Sequence, residues 1–195
     1  MNTTIKIIKS ILKQPRRLDF PVMLKALNCK YICEVGVNRG DNFRLLLNAE
    51  PDLAVAVDAW RADGAISQND NLETQETLNT YHDDLVTLSK TVPAIKILRM
   101  YSLEAAKTFA DEFFDFVYID ADHTYEAVKQ DISAWYPKVK RGGVLSGHDY
   151  SNWTNSNGVR FGVIEAVNEF VEKQNLKDNF HTTKGHCKNW LVVKP

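Results

Sequence analysis

Apolar residues along this chain gather into short runs separated by amphipathic stretches. Tyr31-Ile32-Cys33-Glu34-Val35, Leu53-Ala54-Val55-Ala56-Val57, Ala94-Ile95-Lys96-Ile97-Leu98 and Phe116-Val117-Tyr118-Ile119 are each followed by polar or glycine-containing sequence. Runs this short, rich in β-branched and aromatic residues, predict strands covered on both faces. A fifth strand starts at Gly143-Val144-Leu145 after a turn at Arg141-Gly142. Two short β segments lie around Phe180 and Trp190-Leu191-Val192-Val193. Helical spacing fills the intervals. It is carried by Phe43 to Leu47, by Leu78, Tyr81, Leu85 and Leu88, by residues 102–112, by Val128, Ile132 and Trp135 up to Pro137, and by Val163, Val167, Phe170 and Val171. Residues 1–28 read as two short helical segments parted at Pro15, with Ile5, Ile8 and Leu12 on one face. Strands alternating with helices predict an α/β fold, a doubly wound and mostly parallel sheet. The expected organisation is a helical cap over residues 1–29 and one domain over 30–195. Within that domain, residues 61–92 form an insertion that is polar at first (RADGAISQNDN) and then helical.

Composition narrows the function classes. The chain has 195 residues, a size that favours one domain, and a formal net charge of −1. It lacks the basic excess of a nucleic-acid binder. No run approaches the roughly 18 apolar residues needed to span a bilayer. The N-terminal stretch MNTTIKIIKSILKQP is broken by Lys6 and Lys9 and has no cleavable-signal pattern. Cys29, Cys33 and Cys187 have no metal-ligand spacing, and the first two read as small buried thiols. The expectation is a cytoplasmic protein with no membrane or nucleic-acid partner, open to homo-oligomer contacts through the cap.

Chemistry concentrates at strand ends. The first strand runs into EVGVNRG, where Gly36 and Gly40 allow a tight turn and close approach to a ligand ahead of a helix N-terminus. The spacing differs from the dinucleotide fingerprint Gly-x-Gly-x-x-Gly. Asp58 ends the second strand at the position where an acid accepts ribose hydroxyls. Glu34 would suit an ammonium, and Trp60 would either stack on adenine or lie in the core. A nucleoside cofactor with a carboxylate and an ammonium, S-adenosylmethionine, fits Glu34, Gly36, Asn38, Gly40, Asp58 and Trp60 better than a dinucleotide does. The fourth strand runs into Asp120-Ala121-Asp122-His123, and the fifth ends in Gly147-His148-Asp149-Tyr150.

The segments YICEVGVNRGDN, AVAVDAW and FDFVYIDADHTYEAVKQDISAWYPKVKRGGVLSGHDY, in that order, resemble class I S-adenosylmethionine-dependent methyltransferases. They are most similar to the metal-dependent sugar O-methyltransferases of the macrocin type. The resemblance implies a Rossmann-like sheet of seven strands with the last antiparallel and helices on both faces. It places the cofactor over the first, second and fourth strand ends, with Asp120 among its contacts and Ser102 beside adenine. The bland alternative for Ser102 is a helix N-cap.

Neighbouring fourth and fifth strands would let Asp120 meet His148 and Asp149, two carboxylates and an imidazole suited to a divalent ion. The resembled enzymes carry Asp-x-Asp and Asp-Asp-Tyr, so His148 is a departure. It leaves magnesium or manganese possible and brings iron or zinc into consideration. The resemblance makes Asp122 the base that deprotonates an acceptor hydroxyl, with His123 second. Otherwise Asp120 and Asp122 only cap the following helix. The implied activity is metal-assisted O-methylation of a small molecule, a glycosyl unit by resemblance. Two alternatives stay open: other metal chemistry on the same fold, as in cephalosporin-hydroxylase-like relatives, or a cofactor-binding scaffold without catalysis.

Overall fold

Both faces of the central strands are covered, and this is why their sequences are apolar at consecutive positions. Residues 3–12, 19–62, 73–154, 158, 160–184 and 188–195 are described here, from a computed structural model. In β1 (Tyr31–Val35), Ile32 packs with Ala54 and Ala56 of β2 (Leu53–Asp58) and with Phe116 and Tyr118 of β4 (Phe114–Ile119). Cys33 and Val35 point to the other face, with Val55, Val57, Val117 and Ile119. The period of two thus builds two cores from one sheet. The thiol of Cys29, pushed up to about 12 chiefly by burial, and the enclosed thiol of Cys33 are both free. Cys187 and His186 lie outside the described residues.

The sheet has seven strands in the order β3-β2-β1-β4-β5-β7-β6, completed by β3 (Ile95–Arg99), β5 (Val139–Gly147), β6 (Phe180–Thr182) and β7 (Trp190–Val193). The first five strands are parallel, and β7 runs antiparallel to β5 and β6. Four helices cover the first core: α1 (Thr3–Ile11), α2 (Phe20–Ala26), α3 (Asp41–Leu46) and α4 (Gln75–Ser89). Three cover the second: α5 (Ser102–Ala106), α6 (Tyr125–Trp135) and α7 (Val163–Lys173). The expected cap docks directly on the sheet, with the Phe20 ring edge-on to Phe116 and Tyr118 at 6.0 and 5.7 Å. No helix among the described residues is long and apolar enough to cross a membrane.

Two elements differ from the sequence expectation. The helix expected over 102–112 stops at Ala106, because Phe109 is drawn into the aromatic cluster of Phe113, Phe114 and Trp135. The fifth strand begins at Val139, ahead of the expected turn. Its register against β4 jumps from Phe114↔Val139 to Phe116↔Val144, so Arg141-Gly142 is an irregularity inside the strand. Exchange of backbone hydrogen bonds with Lys194 holds it there, from Gly142 N at 2.7 Å and to Gly143 O at 3.0 Å. The first part of the 61–92 insertion (63–72) and residues 155–157 and 159 of the 150–160 stretch lie outside the described residues.

Candidate active site

The chain reverses direction across the sheet between β1 and β4, and a crevice at the carboxyl ends of such strands is where open α/β sheets take ligands. Here the ladder continues one step past each strand. Gly36 N donates to Val57 O at 2.9 Å, Asp120 N to Val35 O at 2.7 Å and His148 N to Ile119 O at 3.0 Å. The first residues beyond β1, β4 and β5 are therefore pinned to their neighbours rather than left to a free loop.

Beyond β4 and β5, Asp120, His123, His148 and Asp149 bring one ligand atom each to within 4.8 Å of one another. His148 Nδ1 lies 3.4 Å from Asp120 Oδ1 and 3.1 Å from Asp149 Oδ1. His123 Nε2 lies 3.3 Å from Asp120 Oδ1 and 3.4 Å from Asp149 Oδ2. All four side chains are mostly buried. With neutral imidazoles they hold two negative charges together, an arrangement costly without a compensating cation. Asp149 adopts a left-handed backbone (φ 47°), a conformation that aspartate tolerates better than most residues. The convergence expected of Asp120, His148 and Asp149 is present in the geometry.

His123, the second candidate for the base, also lines this cavity. It turns in because the chain has already left extended geometry after Asp120, and because its ring is stacked on Phe161 at 4.7 Å and 12°. Its carbonyl also accepts from Gly162 N at 2.9 Å. Sequence reading missed this fourth member, although Asp120 and His123 at i,i+3 entering a helix were a legible signal. Asp122 is not one of the four: its Oδ1 accepts from Thr124 N at 2.7 Å, closing the turn into α6.

At the glycine turn, Asp58 Oδ2 accepts from Asn38 N at 2.8 Å and Oδ1 from Trp60 N at 2.7 Å. Burial raises its carboxyl above the ordinary range, while these bonds and one from the Val37 backbone pull it down. Buried Glu34 accepts from Asn42 Nδ2 at 3.1 Å. Trp60 is 1 % exposed, gives its indole N–H to Asn38 O at 2.9 Å and meets His82 of α4 edge-on. Of its two expected places, core or adenine face, the structure puts it in the core. Gly36 and Gly40 have φ of 85° and 83°. Ser102 does not cap its own helix: its hydroxyl donates to Asp131 Oδ1 and accepts from Trp135 Nε1 at 2.9 Å.

Asp131 also escaped the sequence reading, although an acid beside the apolar stripe Val128, Ile132 and Trp135 was visible. Burial pushes its carboxyl up to about 6, opposed by the Ser102 bond and reinforced by the charge of Asp122. An acid raised in the folded state adds stability below its unfolded pKa near 4, and that contribution is lost as pH rises through about 6. The expected result is that Asp131→Asn gains stability relative to the wild type between pH 4.5 and 7.5, by about 2 kcal/mol. Urea midpoints at the two pH values check this, and parallel profiles would refute it.

Cavity size does not point to this site. A shallow cavity of about 480 Å³ lies by Leu103, Glu126 and Lys129, and one of about 200 Å³ lies by Cys29, Asp115 and Lys140. Convergent ionisable side chains at strand ends are the better guide.

A seven-stranded sheet with this strand order, carrying polar groups at its switch point, is a Rossmann-like architecture. The model of a family described as a methyltransferase domain matches residues 33–150, and the chain belongs to that family. No curated protein matches the chain in sequence. Solved structures share the fold at low identity. An O-methyltransferase from Bacillus cereus in complex with SAH is 15% identical, with a TM-score of 0.61 over 100% of this chain and 92% of that one. The O-methyltransferase NovP is 16% identical, with a TM-score of 0.63 over 91% of this chain and 78% of that one. Spermidine synthase from Thermotoga maritima is also similar, at 16% identity and a TM-score of 0.53 over 100% of this chain and 61% of that one. The fold therefore does not by itself decide which group is transferred.

Proposed function

We propose that this chain transfers a methyl group from S-adenosylmethionine to a hydroxyl of a small molecule, with a divalent cation held by Asp120, His123, His148 and Asp149. The observation that carries the reading is this mixed cluster at the ends of β4 and β5 in a methyltransferase domain. The donor set fits a cation: two carboxylates and two imidazoles converge, and their composition suits manganese, iron or zinc better than magnesium. When bound, such an ion lowers the pKa of a hydroxyl oxygen and stabilises the alkoxide. Asp122, one oxygen of which closes the α6 turn, has a second oxygen with which to take the hydroxyl proton. Glu34, the glycine turn and Asp58 would bind the amino-acid and ribose parts of the methyl donor. Trp153 is exposed beside Phe161, at a ring distance of 6.4 Å, and offers an acceptor ring a flat apolar wall next to His123. A glycosyl hydroxyl is the acceptor class suggested by the sequence resemblance, and the O-methyltransferases among the structural neighbours support an oxygen acceptor.

Calorimetric titration with S-adenosylhomocysteine, with and without manganese or magnesium, tests the reading. The expected result is binding of S-adenosylhomocysteine, weakened by about 1–3 kcal/mol in Asp58→Ala, and tighter binding of manganese than of magnesium. Metal binding with no affinity for S-adenosylhomocysteine would replace methyl transfer by other metal chemistry on this fold. Affinity for S-adenosylhomocysteine with no response to any divalent ion would remove the metal from the mechanism.

A further inference from the structure

The four residues of the cluster are not held alike. Asp120 and His148 are pinned by the ladder that continues past β4 and β5, through Asp120 N to Val35 O and His148 N to Ile119 O. Asp149 follows His148 directly. His123 lies beyond that ladder, in the turn that leads into α6, and it is held from a different element. Its carbonyl accepts from Gly162 N at 2.9 Å, and its ring lies flat against Phe161, at 4.7 Å between centroids and 12° between planes. Both contacts come from the two residues just ahead of α7.

A histidine that ligates a metal is ordinarily aimed by a hydrogen bond from its other ring nitrogen to a carboxylate or carbonyl. His123 turns Nε2 toward Asp120 and Asp149, while its Nδ1 makes no hydrogen bond to a described residue. The flat contact with Phe161 is what fixes the plane of the ring. An imidazole bound to a cation gains positive charge, and an aromatic face attracts positive charge, so metal binding and the stack reinforce each other. Phe161 is itself firmly set. It is 7% exposed, and its N–H donates to Trp153 O at 2.8 Å. The next residue, Gly162, is already pressed on the start of α6: a Cβ there would lie 2.4 Å from Tyr125 Cβ and 2.5 Å from Tyr125 N.

Resting on the cation reading above, we infer that Phe161 is a positioning residue for metal binding, its ring holding His123 Nε2 toward the ion where a hydrogen bond at Nδ1 would otherwise do so. It acts through His123 alone. Metal affinity then depends on the segment that leads into α7, and not only on the ends of β4 and β5. That segment is tied back on itself by the Phe161–Trp153 backbone bond and by the bridge between Thr154 and Arg160.

The experiment titrates manganese by calorimetry into wild type, Phe161→Leu, His123→Ala and the double variant, and follows folding by circular dichroism. Leucine keeps the apolar bulk and loses the flat face; Phe161→Met does the same and stands in if the leucine variant does not fold. Phe161→Leu is expected to weaken manganese binding roughly 10–100-fold. In the His123→Ala background the same substitution should change the affinity by less than about twofold, because the two residues act as one unit. Phe161→Tyr, which restores a flat ring, should bind within about threefold of wild type. Wild-type affinity in folded Phe161→Leu overturns the inference. So does an equal loss with and without His123, or a folded tyrosine variant as weak as the leucine one, since Phe161 would then only support the fold. A wild type that binds no divalent ion removes the cation reading, and this inference with it.

Discussion

Asp120→Asn is expected to lose divalent-metal binding and turnover together. Asp120 Oδ1 is the atom approached by both imidazoles, at 3.3 and 3.4 Å, so the substitution takes the negative charge from the shared centre of the cluster. Even changes to residues that only support a ligand cost about 10–100-fold in metal affinity or activity, and loss of the ligand itself should exceed that. Asp122→Asn should behave differently. It lies outside the cluster, so manganese and S-adenosylhomocysteine should bind as in wild type while turnover falls roughly 10²–10⁴-fold, the range for a lost general base. His123→Ala provides the third comparison. Because His123 Nε2 also lies 3.4 Å from Asp149, its loss should weaken metal binding, which loss of a pure proton acceptor would not do. Manganese affinity by calorimetry and turnover on any accepted alcohol separate the three roles. Wild-type metal affinity in His123→Ala with collapsed turnover would return the base role to that histidine.

Gly36→Ala should be the most damaging single change at the turn. A Cβ at this position would lie 2.2 Å from the Asp120 carbonyl oxygen and 2.6 Å from Ala121 Cα, both backbone atoms that cannot swing aside. The left-handed conformation costs a non-glycine residue about 1–2 kcal/mol, and forced overpacking adds about 1–3 kcal/mol. A total loss of about 2–5 kcal/mol in denaturant stability is expected. Any molecules that stay folded should bind metal poorly, because the displaced segment is the one that carries Asp120. Gly40→Ala is the control. It shares the positive φ, but the atoms nearest its Cβ would belong to side chains, Arg44 Nη1 at 2.7 Å and Leu85 Cδ2 at 3.0 Å. Equal losses in the two variants would mean that the glycines matter for backbone conformation alone and that Gly36 has no special link to the cluster.

The strands were legible because they are short, apolar and two-sided, so burial leaves a mark at nearly every position. β1, β2 and β4 lie within two residues of where hydrophobicity puts them. The stop at Ala106 was not legible, since Phe109 leaves the helix only because Phe114 and Trp135, from two other elements, offer it a pocket. The early start of β5 had the same kind of cause, a partner more than 50 residues away at Lys194.

By itself, the sequence determined the alternation of strands and helices, the acids and imidazoles at the fourth and fifth strand ends, and the glycines that let the first turn close on its neighbour. These depend on local composition and on period, which a linear reading retains. Tertiary structure decided which way each polar side chain faces. It turned His123 into the cluster through its stack on Phe161, tied Asp122 to the start of α6, enclosed Trp60 beneath α4 and set Asp131 against Ser102. The direction of a side chain at a strand-to-helix turn depends on rotations over a few residues and on partners distant in sequence, and neither is encoded in spacing.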